Sequence, residues 1–282
     1  MRSAGSKWGN GVDYSSFEYL DIEVREHIAY VTLNGPERGN AFEGKGHREM
    51  SQVMRLIPQD EDVRVVVMTG SGRAFSVGAT PARFAEITQG DPALTYRTLS
   101  EVREMVFSAI DCDTPVVCAI NGPANGSALT LALMADIIIV ERQVTLRDPH
   151  VAGSLTAGDG GVLTWPLAMG LIRSKRYLFT GDPLPAEEAF RLGLITEVVD
   201  TGTSLARATE FAERMVELPQ MALRTTKRSL NQWLRAGATT AFDASLAFEH
   251  FTMVLPETRA KLLALTNAAP PGEPSAPGKD KS

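Results

Sequence analysis

The sequence predicts an α/β fold followed by a helical C-terminal region, and three observations lead to this prediction. Runs of β-branched residues alternate with helix-period patterns as far as about residue 200. Beyond that point, amphipathic helix patterns follow one another without strand patterns between them. Glycine-rich turns stand directly after two of the strand patterns. In a chain of 282 residues, these features indicate one large core.

The strand patterns appear first as a pair and then singly. Residues 21–34 contain short alternating runs that predict two strands joined by a turn. Continuous apolar runs at 63–70, 115–122 and 135–141 predict strands covered on both faces, and 194–200 predicts another strand. Between them, residues 46–57 and 99–110 carry apolar side chains at helical spacing.

Composition divides the chain into four parts. Residues 1–15 are polar and are expected to be flexible, 16–200 form the β/α core, and 201–267 form the helical region. Residues 268–282 are rich in proline, glycine and charge, which predicts disorder. In the helical region, Ser204 and Thr239 are predicted helix N-caps, and Pro219 separates the first two helix patterns.

Composition also excludes several classes of protein. The net charge of -6 argues against a nucleic-acid partner, and the absence of a long apolar run argues against a membrane span. The N-terminus lacks the apolar stretch of a secretory signal, so we expect a cytoplasmic protein in which Cys112 and Cys118 are reduced thiols. Four histidines without a Cys/His cluster predict no metal site, and we expect no cofactor.

Two glycine-bearing loops follow strand patterns, at residues 70–80 (GSGRAFSVGAT) and 121–137 (NGPANGSALTLALMADI). A turn of this kind that opens a helix offers free backbone N–H groups to an anion or a polarised carbonyl. The glycine spacing is not that of a dinucleotide fingerprint, and neither loop has the lysine of a P-loop. The loops therefore do not predict a nucleotide site.

Together with FTGDPLPAEEAFRLGLITEVV, these loops resemble the crotonase (enoyl-CoA hydratase/isomerase) superfamily across residues 17–255. The resemblance implies a ClpP/crotonase-like spiral of β-β-α turns with a C-terminal helical trimerisation region. It implies a homotrimer or a dimer of trimers. It also implies an oxyanion hole built from the backbone N–H groups of Ala79 and Ser127.

Departures from the family pattern affect the expected chemistry. Hydratases of this family use two glutamates, and those positions are Thr130 and His150 here. Thr80 replaces the acidic residue of the family's G-A-D motif. Simple hydration by a glutamate pair is therefore not expected. Arg38 and Arg73 are possible contacts for CoA phosphates.

The loop DPHVAGSLTAGDGGVLTWP, residues 148–166, resembles one branch of the superfamily, the β-diketone hydrolases of the 6-oxocamphor hydrolase type. This resemblance implies catalytic roles for His150, Asp159 and Glu249. Their substrate pocket would include Phe42, Thr130 and Trp165. The branch has a histidine on its second loop, and Ser127 stands at that position here.

Side-chain chemistry supports some of these assignments independently. A histidine can take a proton from water near neutral pH, and a carboxylate beside it stabilises the resulting imidazolium. The alternative for His150 and Asp159 is a surface-loop histidine and an Asp-Gly turn. Glu249 shares a helical face with apolar residues, which predicts a carboxylate that is buried and paired or lines a pocket. His47 is interpreted as an ordinary helix-face histidine.

Three functions remain open at this point. The leading hypothesis is a cofactor-free hydrolase that cleaves a C–C bond of a β-diketone by a retro-Claisen reaction. The alternative is a hydratase/isomerase-type enzyme that acts on an acyl-CoA thioester. The third is a non-catalytic family member that binds an acyl ligand or a partner. The expected ligand is accordingly a small dicarbonyl compound or an acyl-CoA.

Overall fold

The computed structural model describes residues 12–88 and 91–267, and its strands form two sheets. The six-stranded sheet has the order β1-β2-β3-β4-β6-β9 and the three-stranded sheet the order β5-β7-β8. The strands are β1 (Leu20–Arg25), β2 (Ile28–Leu33), β3 (Val65–Gly70), β4 (Val116–Ile120), β5 (Ala124–Asn125), β6 (Ile137–Glu141), β7 (Thr145–Arg147), β8 (Leu184–Pro185) and β9 (Glu197–Val199).

Eleven α-helices surround these sheets in the described part of the chain. They are α1 (Lys45–Leu56), α2 (Pro81–Thr88), α3 (Pro92–Asp111), α4 (Gly126–Leu133), α5 (Gly161–Met169), α6 (Leu171–Thr180), α7 (Ala186–Arg191), α8 (Ser204–Val216), α9 (Gln220–Gly237), α10 (Asp243–Met253) and α11 (Pro256–Asn267).

The larger sheet is mixed, because β1 and β2 form an antiparallel hairpin and the other neighbours run parallel. Every residue of β3 and β4 is buried. On one face, residues such as Val66 and Met68 belong to the main core, and on the other face Val65 and Val67 pack with α8. This two-sided burial explains their continuous apolar runs. The α/β crotonase-type fold predicted from the sequence is confirmed.

The described chain is helical from Ser204 to Asn267, but neither predicted N-cap is one. Ser204 is the first residue of α8, with Thr203 at the N-cap position, and its hydroxyl donates to Glu141 Oε1 instead. Thr239 is not an N-cap, because it lies within a π-helical turn (Ala238–Phe242) that joins α9 directly to α10. Its hydroxyl donates to the Arg235 carbonyl, four residues earlier in the same helix. The sequence pattern could not reveal this continuity, since a threonine beside a glycine is also a common helix start.

The two ends of the chain are only partly described. The predicted disordered tail, 268–282, and residues 1–11 of the predicted flexible N-terminus lie outside the described residues. Tyr14, within that N-terminal segment, donates a 2.9 Å hydrogen bond to Asp60 Oδ2. Among the described residues, no helix combines the length and apolar character needed to cross a membrane.

Candidate active site

The two glycine-bearing loops lie side by side because the strands before them are parallel neighbours. In β3 and β4, Thr69 pairs with Ala119, so the loops after both strands leave the same edge of the sheet. The Ser76 amide donates to the Pro123 carbonyl at 2.9 Å, and the Asn125 amide donates to the Ser76 carbonyl at 3.1 Å. These bonds fix the first loop against the start of α4.

The backbone amides of Ala79 and Ser127 lie on these two adjoining segments. Gly126 has a φ of 56°, a left-handed conformation that suits glycine, and Ser127 follows it as the second residue of α4. The first N–H groups of a helix have no partner within the helix. Among the described residues, neither the Ala79 nor the Ser127 amide donates a hydrogen bond. Both N–H groups therefore remain available to a substrate oxygen.

A third segment, the loop 148–160, is held against α10 and α11 by polar contacts. The Thr156 amide donates to Thr252 Oγ1 at 3.0 Å, and Ser245 Oγ donates to the Gly158 carbonyl at 3.3 Å. Thr258 Oγ1 donates to the Ser154 carbonyl at 2.8 Å. Residues 245, 249 and 252 share one face of α10, so the same contacts direct Glu249 toward this loop.

His150 is oriented by Asp148, a residue that the sequence reasoning did not select. Asp148 Oδ1 lies 2.6 Å from His150 Nδ1 and also accepts a 3.1 Å hydrogen bond from the His150 backbone amide. Only 11 % of the His150 side chain is exposed, and Asp148 is buried. A local signal existed, because an aspartate two residues before a histidine often accepts that residue's amide in an Asx turn.

The opposite ring nitrogen faces the two carboxylates that the sequence did predict. His150 Nε2 lies 3.5 Å from Asp159 Oδ2 and 3.9 Å from Glu249 Oε1. Both distances exceed those of a good hydrogen bond. Asp159 Oδ1 and Glu249 Oε2 are buried without a hydrogen-bond partner in the described part of the chain. The structure therefore brings His150, Asp159 and Glu249 together, with Nε2 and two carboxylate oxygens left for a ligand or a proton.

Burial and mutual charge shift every pKa in this cluster. Burial acts to lower the pKa of His150, but the Asp159 and Asp148 carboxylates outweigh it and raise that pKa well above its usual range. Burial would raise the pKa of Asp148, but the charge and hydrogen bonds of His150 hold it below its usual range. Burial raises the pKa of Asp159 to about 6 and that of Glu249 to about 8, against the opposing charge of His150.

The cluster is consequently partly protonated at neutral pH. Glu249 is protonated, Asp148 is ionised, and His150 and Asp159 titrate as coupled groups. One ligating atom from each of Asp148, His150 and Asp159 lies within 4.8 Å of the others, a spacing that a cation could use. Because Asp148 is engaged with Nδ1, only two of these groups would face such an ion. We therefore interpret the cluster as proton-transfer machinery.

His47 is not the ordinary helix-face histidine that the sequence indicated. It is buried, with 4 % of the residue exposed, and its Nε2 lies 2.8 Å from Ser127 Oγ. Phe42 is also buried and meets the His47 ring edge-on, with 5.0 Å between ring centroids. The Phe42 amide donates to the Gly78 carbonyl at 3.0 Å, so this aromatic residue links His47 to the Ala79 loop. A 3.6-residue period alone could not show that His47 faces inward.

The remaining predicted pocket residues divide between the site and the core. Thr130 is buried, and its hydroxyl lies beside Asp159 and lowers the pKa of that carboxyl. Trp165 is instead a core residue: it is 1 % exposed, and its ring packs 6.0 Å from that of Tyr177.

The predicted CoA contacts are both surface residues. Arg73 is exposed, and Arg38 lines a surface pocket of about 350 Å³ together with Tyr19, Glu43, Lys45 and Arg83. Glu43 accepts hydrogen bonds from the Thr80 amide at 2.9 Å and from the Thr80 hydroxyl at 3.1 Å. A carboxylate from another segment therefore lies beside Thr80, where the family has its own acid.

Two adjoining loops with free amides lie next to a buried histidine–carboxylate cluster, and groups of these kinds can polarise a carbonyl and move protons beside it. The sequence profile of the enoyl-CoA hydratase/isomerase family matches residues 23–256. The chain belongs to this family, which is the crotonase superfamily that its motifs resembled.

Similar proteins include both CoA enzymes and a hydrolase. The short-chain enoyl-CoA hydratase of Clostridium acetobutylicum is 29 % identical over 81 % of this chain and 85 % of its own. A crystal structure of an enoyl-CoA hydratase/isomerase from Mycobacterium paratuberculosis is 34 % identical, with a TM-score of 0.84 over 89 % of this chain and all of that one. The structure of a β-diketone hydrolase from the cyanobacterium Anabaena, bound to (S)-3-oxocyclohexyl acetic acid, is 30 % identical in sequence. Its TM-score is 0.79 over 86 % of this chain and 96 % of that one.

Proposed function

We propose that the protein hydrolyses a C–C bond of a 1,3-diketone without a cofactor. The observation that carries this proposal is the His150 cluster, which stands where a hydratase has a glutamate. Thr130, at the other glutamate position, cannot titrate near neutral pH. The similarity to a β-diketone hydrolase that binds a keto acid also supports it, since a keto acid is the product of such a reaction.

The geometry supports a complete sequence of proton and bond changes. In the state of the coupled cluster that leaves the imidazole neutral, His150 Nε2 takes a proton from water, and the hydroxide attacks one carbonyl carbon of the diketone. The amides of Ala79 and Ser127 hold the resulting oxyanion. The bond between that carbon and the central carbon then breaks, and its electron pair becomes the enolate of the second carbonyl. A proton returned to the central carbon completes a keto acid.

Proton return has a suitable donor in Glu249. Burial raises the pKa of its carboxyl to about 8, so it holds a proton at neutral pH. Glu249 Oε1 lies 3.9 Å from His150 Nε2, so the proton donor and the base are close enough to act on the same substrate. The protonated His150 is the other possible donor. Asp148 keeps Nδ1 protonated in either state and so directs Nε2 toward the substrate.

A second candidate is a hydratase or isomerase that acts on an acyl-CoA thioester, and the names of the relatives favour it. The same two amides would polarise a thioester carbonyl, and His150 or Asp159 would move the proton. Arg38, Lys45 and Arg83 line the surface pocket and could meet a phosphate, but Lys45 and Arg83 are paired with Glu18 and Glu86, which line the same pocket. In this candidate, the His150 cluster would have to take over the proton transfers of the missing glutamate pair.

A paired assay separates the candidates. The first substrate is a bridged bicyclic 1,3-diketone whose opening gives 3-oxocyclohexyl acetic acid, and the second is crotonyl-CoA. We expect keto acid formation that His150→Ala abolishes and Asp159→Asn slows, with little or no hydration of crotonyl-CoA. Hydration at an ordinary enzyme rate of roughly 10 per second, without diketone turnover, would establish the second candidate instead. If wild type turns over neither compound, a binding role becomes the better account.

A further inference from the structure

The backbone around Ala79, whose amide the proposed reaction uses, is held by two residues of an earlier segment. The first is Phe42, whose amide donates a 3.0 Å hydrogen bond to the Gly78 carbonyl. That carbonyl and the Ala79 N–H belong to one planar peptide unit, and in a trans unit they point in opposite directions. The bond from Phe42 therefore turns the Ala79 N–H away from the segment that holds it.

The second residue is Glu43, which holds the next peptide unit along the chain. Its Oε2 accepts a 2.9 Å hydrogen bond from the Thr80 amide, and its Oε1 accepts a 3.1 Å hydrogen bond from the Thr80 hydroxyl. With the Phe42 bond alone, the peptide unit that carries the Ala79 N–H could pivot about a single contact. With both bonds, the peptide units on either side of the Ala79 Cα are fixed, and so is the direction of its N–H.

The sequence explains why the acceptor comes from another segment. Thr80 directly precedes α2, and its hydroxyl accepts a 3.1 Å hydrogen bond from the Arg83 amide, as a helix N-cap does. In a capping box, the third helical residue is a glutamate or glutamine that accepts the amide of the N-cap. That residue is Arg83 here, and a guanidinium group cannot accept a hydrogen bond. Glu43, 37 positions before Thr80, supplies the missing acceptor.

We propose that Glu43 is a positioning residue of the oxyanion hole, which fixes the Ala79 amide by holding the amide of Thr80. This inference rests on the proposed function, because the reaction must develop an oxyanion that Ala79 stabilises. Glu43 does not touch the substrate and exchanges no proton with it. Its loss should slow the chemical step more than it weakens substrate binding, because an oxyanion donor acts on charge that develops in the transition state.

The role requires an acceptor at the right distance and not a negative charge, and two substitutions separate these properties. Glu43→Gln keeps the reach of the side chain and an oxygen for the Thr80 amide, so kcat should stay within about threefold of the wild-type value. Glu43→Asp keeps the charge but withdraws the oxygens by one methylene. Glu43→Asp and Glu43→Ala should lower kcat about 10- to 100-fold, as for a slightly misplaced oxyanion donor, and change KM less than about threefold.

Glu141 offers a matched control on the other side of the sheet. Its carboxylate accepts the Ser204 hydroxyl at 2.8 Å and backbone amides at the start of α8, just as Glu43 accepts the hydroxyl and amide at the start of α2. Because α8 packs on the face of the sheet opposite the main core, Glu141→Asp should lower the melting temperature without lowering kcat.

Steady-state kinetics on the bridged bicyclic 1,3-diketone, measured across the pH range and paired with thermal unfolding, test the proposal. We expect kcat to fall in Glu43→Asp and Glu43→Ala and to be retained in Glu43→Gln and Glu141→Asp. The acid limb should not move in any of them, because burial and the carboxylates of Asp159, Asp148 and Glu249 determine the pKa of His150.

The proposal is overturned if Glu43→Asp keeps the wild-type kcat, if Glu43→Gln loses as much as Glu43→Asp, or if Glu141→Asp loses as much as either. The comparison of aspartate with glutamine decides the matter even if the alanine variant does not fold. Failure of the proposed function gives a different result, in which the wild type hydrates crotonyl-CoA and leaves the diketone unchanged. The same differences in kcat are then expected on crotonyl-CoA, whose carbonyl also needs the amide. If the wild type turns over neither compound, this inference fails together with the proposed function.

Discussion

Replacing Asp148 with asparagine tests the part of the site that only the structure revealed. Asp148 Oδ1 lies 2.6 Å from His150 Nδ1, and the pair is shielded from solvent, so water cannot replace the lost charge. A hydrogen bond to a charged group contributes about 1.5–3 kcal/mol, equivalent to a factor of roughly 10 to 150 in rate. If asparagine also stabilises the wrong imidazole tautomer, the loss approaches the ~10⁴-fold known for catalytic triads.

The same substitution should move the pH profile in a predictable direction. The Asp148 carboxylate is one cause of the raised His150 pKa, so its neutralisation lowers that pKa. The activity of the base is lost as pH falls through this pKa. The acid limb of kcat/KM for Asp148→Asn should therefore lie at lower pH than that of the wild type, while kcat at its plateau falls between roughly 10- and 10⁴-fold. Steady-state kinetics across the pH range measure both effects.

A matched control is Asp60→Asn, another buried aspartate that accepts hydrogen bonds from Tyr14 and from a backbone amide outside the cluster. It should lower thermal stability without shifting the acid limb. The reasoning is refuted if Asp148→Asn keeps wild-type kcat and an unshifted limb, or if Asp60→Asn shifts the limb equally.

Further predictions concern stability, packing, metal and assembly. The raised pKa of Glu249 favours folding at low pH, and this contribution disappears as pH rises from the usual glutamate range through about 8. Glu249→Gln should therefore show a smaller fall of Tm over this pH range than the wild type. An equally large fall in both proteins would contradict the prediction. A Cβ on Gly158 would lie 2.5 Å from Glu249 Cβ, so Gly158→Ala should destabilise the fold by roughly 1–3 kcal/mol and slow turnover. A Cβ on Gly153 would have nothing within 4 Å, so Gly153→Ala should change neither property. Urea unfolding and kinetic assays measure the two effects. Prolonged treatment with a chelator should leave kcat unchanged. If activity were lost on chelation and recovered when a divalent cation is added, the cluster would bind metal. Exposed apolar residues on the C-terminal helices, such as Met221 and Trp233, predict a trimer or a dimer of trimers, which a monomer in light scattering would exclude.

The fold was predictable from the sequence because burial on both faces of a sheet leaves a strong pattern. The runs at 63–70 and 115–122 became β3 and β4, whose residues are all buried. The small sheet of β5, β7 and β8 was not foreseen, because its strands have only two or three residues each and carry no periodicity. The π-helical turn around Thr239 was also missed, since local residue preferences favour a helix start there.

Prediction of the site depended on whether a residue's partner is near in the chain. His150 and Asp159 share one loop, and Glu249 was selected because a carboxylate on an apolar helical face must be buried. Asp148 was not predicted although it stands two positions from His150, because the loop's resemblance to the diketone-hydrolase branch indicates Asp159 as the partner of His150. His47 could not have been assigned, because its partner Ser127 lies on another helix and only the fold brings them together.

The central claim, that water cleaves a C–C bond of a diketone at this site, is tested most directly by isotope incorporation. The bridged bicyclic 1,3-diketone is incubated with the enzyme in water enriched in oxygen-18, and the product is examined by mass spectrometry. The account predicts 3-oxocyclohexyl acetic acid with one oxygen-18 introduced into its carboxylate, and none of this product with His150→Ala. Recovery of the unchanged diketone, from a preparation that hydrates crotonyl-CoA efficiently, would contradict it.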